Sequence, residues 1–226
     1  MVVLRIRPTR EEFAGLAASH TVVPVWTELL ADLETPVAAY AKVVGDGAGF
    51  LLESVEHGER WSRFSFVGRA PVATLVLRDG RVEVEGALPD GVPRDKGILA
   101  ALDVVLDRYR APRLPDLPPL QSGVVGYLGY DVVREIERLP SAPPDDRGLP
   151  DAVMSVIGSL VAFDHWRQRA YLIDSVPVLG LDAAELDAAY DGAARRVEAL
   201  SADLARPLSY SAVAPPAGTG RRAWWS

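Results

Sequence analysis

The 226-residue sequence predicts an α+β fold: a layered, mostly antiparallel β-sheet with flanking helices. Two observations predict it. Strand-like and helix-like segments interleave irregularly, with no repeated βαβ unit and no internal repeat. Asp79-Gly80, flanked by alternating apolar residues, is a strong hairpin signal, and hairpins build antiparallel sheets.

Each element has its own warrant. Thr9-Arg10-Glu11-Glu12 matches a capping box, so a helix is expected over residues 10–18. Residues 21–26 are β-branched and extended. Thr35 before Pro36 starts a second helix over 36–44, because proline suits the first helical position. Residues 49–55 open with a continuous apolar run, which predicts a strand buried on both faces. Strands are expected at 64–67, 73–77 and 81–85. Ile98, Leu99, Leu102, Val105 and Leu106 recur at helical spacing and predict an amphipathic helix over 97–109. The proline-rich stretches 111–120 and 139–151 are expected as loops, with a Gly-rich apolar segment at 122–130 and a short helix at 132–138 between them. One strand over about 153–163 and another over 168–174 follow, joined by Asp164-His165-Trp166-Arg167. A long Ala-rich helix from Leu181-Asp182 to about residue 205 closes the pattern.

Composition narrows function more by exclusion. The net charge is -7, against the clustered Lys and Arg that a nucleic acid or anionic membrane needs. There is no cysteine, which removes thiolate metal sites, disulfides and a cysteine nucleophile, and fits a cytoplasmic protein. No segment reads as a signal peptide or a membrane span. His20, His57 and His165 are scattered, with no metal-ligand spacing. Asp145-Asp146 and Asp182/Glu185 are expected to cap or to be solvated. Gly123, Gly126 and Gly129 depart from the phosphate-loop spacing; they are expected to let strands approach closely, with Tyr127 and Tyr130 packed nearby. Trp61 and Trp166 are expected as core or sheet-face aromatics. No catalytic residue is assigned in this chain.

Three ordered segments carry a resemblance. They are Gly49-Phe50-Leu51-Leu52-Glu53-Ser54-Val55-Glu56 continuing to Arg60-Trp61-Ser62-Arg63-Phe64-Ser65-Phe66-Val67-Gly68; Gly123-Val124-Val125-Gly126-Tyr127-Leu128-Gly129-Tyr130-Asp131; and Leu160-Val161-Ala162-Phe163-Asp164-His165. In this order and spacing they resemble the N-terminal region of the chorismate-utilising enzymes, specifically anthranilate synthase component I. The resemblance implies that full-length members convert chorismate to anthranilate and pyruvate with Mg²⁺ and with ammonia from a glutamine amidotransferase subunit. It also implies a C-terminal catalytic domain, whose Mg²⁺ ligands lie outside this chain, and an N-terminal domain that binds the feedback inhibitor L-tryptophan. Ser54 takes the tryptophan-contact role, with Leu52 and Glu53 beside it.

The residues alone leave two readings of that segment open. Glu53, Ser54 and a nearby arginine such as Arg63 offer an acceptor for an ammonium, donors for a carboxylate, and apolar neighbours for an indole. Alternatively, Glu53 pairs with an arginine and Ser54 bonds local backbone. On the resemblance, residues 1–212 are read as the regulatory domain and 213–226 as an atypical tail, in a fragment inactive alone and produced by a premature stop or frameshift. An aminodeoxychorismate synthase component I fragment and a free-standing amino-acid-binding module are the alternatives.

Overall fold

The computed structural model describes residues 4–53, 63–141, 144–145 and 147–208. Among these residues there are nine strands and four α-helices: α1 Arg10–Ala17, β1 Val22–Leu30, α2 Pro36–Val43, β2 Gly49–Glu53, β3 Phe64–Arg69, β4 Ala73–Arg78, β5 Arg81–Gly86, α3 Gly97–Arg108, β6 Val124–Leu128, β7 Ala152–Val156, β8 Ser159–Asp164, β9 Arg169–Pro177 and α4 Ala183–Leu204. A 3-10 turn, Tyr130–Glu135, replaces the α-helix expected over 132–138.

The strands form two sheets in which every neighbouring pair is antiparallel. Sheet A has the order β1-β9-β8-β3-β2, and sheet B the order β5-β4-β7-β6. One face of sheet A packs on α1, α2 and α4. There Val67, Val161 and Leu172 meet Ala39, Val43, Val197 and Leu200, while Phe13 fills the gap beside Val23 and Val25. The other face carries Trp26, Leu160, Tyr171 and Ile173, covered by Leu114, Leu117 and Leu120 from the proline-rich loop. In sheet B, Leu75, Leu77 and Val82 pack against Ile98, Ala101 and Val105 of α3. Of the aliphatic residues spaced along 97–109, Ile98 and Val105 are buried and Leu99 and Leu102 partly so, whereas Leu106 is 55% exposed and lies off the buried stripe.

Local chemistry sets the helix ends as expected. Thr9 and Glu12 form a reciprocal capping box at α1, and Asp182 and Glu185 form another at α4. Thr35 accepts from the Ala38 amide, with Pro36 in the first turn. Asp145 likewise accepts from the amides of Arg147 and Gly148 at 3.0 Å, which holds its carboxyl below the usual range. The Asp79-Gly80 turn joins β4 to β5 with both central residues at positive φ, 51° and 72°.

Three further expectations are corrected. The segment 153–163 is two strands, because the chain bends at Ile157-Gly158 and passes from sheet B to sheet A. At the same level the neighbouring chain passes from β3 to β4 through Ala70, Pro71 and Val72. The passages touch so closely that a Cβ on Gly158 would sit 2.0 Å from the Ala70 carbonyl oxygen. A single antiparallel pairing, Arg69 to Ser159 and then Ala73 to Val156, therefore threads both sheets. Second, β2 is the edge of sheet A, with Leu52 42% exposed, and is not buried on both faces. An apolar run marks burial only where neighbours exist on both sides. Third, Tyr130 and Trp166 are exposed, at 84% and 66%, and Tyr127 is nearly half exposed, its hydroxyl donating to the Pro150 carbonyl. Trp61 lies outside the described residues.

Candidate functional site

Three of the four sequence-predicted ligand residues, Leu52, Glu53 and Arg63, lie at one end of sheet A, where β2 stops at Glu53 and β3 begins at Phe64. Ser54 lies outside the described residues. Leu52 pairs with Phe66 and Glu53 with Ser65, so strand alternation turns their side chains to opposite faces. Leu52 joins an apolar file with Phe50, Phe64 and Phe66, in which the rings of Phe64 and Phe66 lie 6.2 Å apart. The Phe50 ring lies over Gly68, where a Cβ would come within 2.1 Å of it. This half-buried file is the kind of wall an indole packs on.

Glu53 belongs to the opposite, polar row. Its cross-strand neighbour Ser65 is buried, and the Ser65 hydroxyl lies 2.8 Å from His165 Nε2. The His165 ring stacks near Phe163 at 6.3 Å, and its backbone amide donates to the Arg63 carbonyl. Among the described residues, Glu53 makes no ion pair.

Arg63 is already engaged. Its Nε donates to Asp164 Oδ1 at 3.0 Å and its Nη2 to Oδ2 at 2.6 Å, while the guanidinium lies over the rings of Phe64 and Trp166. Asp164 is 2% exposed and also accepts from the amides of Trp166 and Arg167, which shapes the β8–β9 turn. Burial pushes its carboxyl upward, but the bonds from Arg63 and the Arg167 amide outweigh that and hold it below the ordinary carboxylate range. Arg63 therefore anchors the start of β3 with two of its donors and keeps only part of its fork for a ligand.

A cleft opens between the sheets, lined by Gly49 and Phe50 on one side and by Val125, Gly126 and Tyr127 on the other. Gly126 and Gly129 are required by close approach, since Cβ atoms there would lie 1.9 and 2.7 Å from the carbonyl oxygens of Val153 and Asp151. Among the described residues, no group of three His, Asp or Glu side chains could hold a metal ion. No described helix is long and apolar enough to cross a membrane.

Sequence comparison decides the kinship of this scaffold. The chain is 42% identical to anthranilate synthase component 1 of Mycolicibacterium smegmatis over 208 residues, which is 91% of this chain. This chain is related to anthranilate synthase component 1. The protein of that name from Streptomyces coelicolor is 39% identical over 225 residues, and that from Thermus thermophilus 42% identical over 197. The chain spans 37–39% of the length of these three relatives. The fold agrees with the crystal structure of anthranilate synthase component I from Streptococcus pneumoniae. That match has a TM-score of 0.51 at 21% identity and covers 80% of this chain and 37% of the other. No family model matches.

The Asp164-His165 pair of the third motif was legible only as part of the resemblance to anthranilate synthase component I. Its pairing with Arg63 and Ser65 spans about 100 residues of sequence, and no local signal announces it.

Proposed function

We propose that this chain is the L-tryptophan-binding, regulatory region of an anthranilate synthase component I. The observation that supports this most is kinship over 91% of the chain to only 39% of a relative named for that activity. The geometry adds part of a setting: an open apolar file at Leu52, Phe64 and Phe66 on one face of the sheet end, with the Glu53 carboxylate turned to the other face and the Arg63 guanidinium anchored beside them. An amino acid with an indole side chain needs an apolar wall for its ring, an acceptor for its ammonium group and donors for its carboxylate. In this reading Ser54 contacts the ligand, Leu52 lies against the ring, and Glu53 answers the ammonium group. Arg63 holds the strand and contributes its remaining donors.

The whole protein would convert chorismate to anthranilate and pyruvate in the cytoplasm, with Mg²⁺ and with ammonia from a glutamine amidotransferase subunit. Tryptophan would inhibit by favouring one arrangement of regulatory and catalytic regions, and chorismate would weaken tryptophan by the same factor. This chain by itself would make no anthranilate.

Calorimetric titration of the purified chain with L-tryptophan, beside Ser54→Ala, tests the reading. Saturable binding that Ser54→Ala abolishes is the expected result. No binding by demonstrably folded protein would refute a self-contained tryptophan site.

A further inference from the structure

Two sheets have four edges, and two of them are guarded. At β1, Arg7 and Trp26 exchange backbone hydrogen bonds at 2.7 and 2.6 Å, and Pro24 has no amide to offer. At β5, Arg81, Glu83 and Glu85 put charges along the strand, and the Val82 amide already donates to the Arg94 carbonyl. Charges, proline and covering segments are the usual ways of keeping a sheet edge from pairing with another chain.

Among the described residues, the other two edges lack such protection. Strand β6 reads Val-Val-Gly-Tyr-Leu with no charge and no proline, and β2 reads Gly-Phe-Leu-Leu with one carboxylate at its end. Both face the same side of the molecule, because Gly49 and Phe50 line one wall of the inter-sheet cleft and Val125, Gly126 and Tyr127 the other. The register of β6 fixes which groups are unspent. The Gly129 amide donates to Asp151 and the Gly123 carbonyl accepts from Ile157, so the odd-numbered residues bond to β7. The amides and carbonyls of Val124, Gly126 and Leu128 then point away from the sheet. Around them, Leu52, Tyr127, Leu128 and Tyr130 are 42–84% exposed. A concentration of apolar side chains beside an unprotected strand edge marks a surface that is covered in the working protein.

The relatives indicate what covers it, since roughly three fifths of the M. smegmatis protein has no counterpart in this chain. We infer that the free edge of β6 accepts an extended strand from that remaining portion of anthranilate synthase component I, so that sheet B continues into it. Main-chain hydrogen bonds to Val124, Gly126 and Leu128 fix the register, and the apolar side chains of Tyr127, Leu128 and Tyr130 are buried by the added polypeptide. This inference does not depend on where tryptophan binds.

Amide hydrogen exchange tests it, by comparing this chain alone with the full-length M. smegmatis protein at aligned positions. The amides matching Val124, Gly126 and Leu128 are expected to exchange at least about tenfold more slowly in the full-length relative, while those on the β5 edge exchange alike. Equal exchange at the β6 edge in both proteins overturns the inference. So does a dimer of this chain, seen by light scattering, in which those amides are already protected, because a second copy would then be the occupant. Leu128→Pro removes one outward amide and no bond to β7. It is expected to leave the unfolding midpoint of the isolated chain nearly unchanged and to lower it when placed at the aligned position of the full-length relative. Equal losses in both overturn the assignment of that amide to a partner strand.

Discussion

Arg63 and Asp164 meet through two parallel hydrogen bonds, Nε to Oδ1 and Nη2 to Oδ2, across 101 positions of sequence. The contact ties the first residue before β3 to the last residue of β8, where the β8–β9 turn begins. It fixes the two ends of the candidate site against each other, and it makes that end of the sheet sensitive to acid.

The sign of that sensitivity follows from the depressed Asp164 carboxyl. Its stabilising contribution is complete above the unfolded carboxylate value, near 4, and is lost as pH falls from there through the lower folded value. Asp164→Ala is expected to cost about 1.5–3 kcal/mol at pH 7, the range for hydrogen bonds to a charged group. Urea titrations at pH 7 and pH 3 should show the variant's deficit shrinking at the lower pH; a deficit constant across that range would contradict the depressed carboxyl.

Gly126 and Gly15 should respond oppositely to alanine. A Cβ at Gly126 strikes the Val153 carbonyl oxygen, so Gly126→Ala is expected to cost about 1–3 kcal/mol as β6 is pushed off β7. Gly15 lies inside α1 with nothing within 4 Å, and Gly15→Ala is expected to gain about 0.5–1 kcal/mol from the lower entropy of the unfolded chain. Thermal melts of the two variants decide both.

Leu160 is fully buried between Trp26, Tyr171 and Ile173. Leu160→Ala is expected to cost about 2–5 kcal/mol through lost burial and a residual cavity. Denaturant midpoints at unchanged slope would check it.

The α4 cap offers a smaller effect. Asp182→Ala removes the acceptor for the Glu185 amide and is expected to cost about 1 kcal/mol, measured by the same unfolding titration.

What the sequence made legible was local. The capping boxes at Thr9 and Asp182, the Pro36 helix start and the Asp79-Gly80 turn each lie within four residues, and each formed as read. What it hid was set by distant neighbours. The edge position of β2 depends on which strand lies beyond Leu52, and the bend at Gly158 depends on Ala70 passing beside it. At the candidate site the alternation of Leu52 and Glu53 was available from strand period. The engagement of Arg63 by Asp164 was not, because only the β3–β8 pairing brings them together.

The pairing of β1 with β9 has a consequence for biosynthesis. Val22 must wait for Pro177, and no strand of sheet A except β2 and β3 can find its sheet neighbour until β8 has been made. On a ribosome, the first 150 or so residues therefore emerge with β1 unmatched, a period of about 8–30 s at elongation rates of about 5–20 residues per second. Closure of sheet A comes late, and a nascent chain arrested before residue 177 would expose Val23, Val25 and Trp26 to whatever chaperone stands at the tunnel exit.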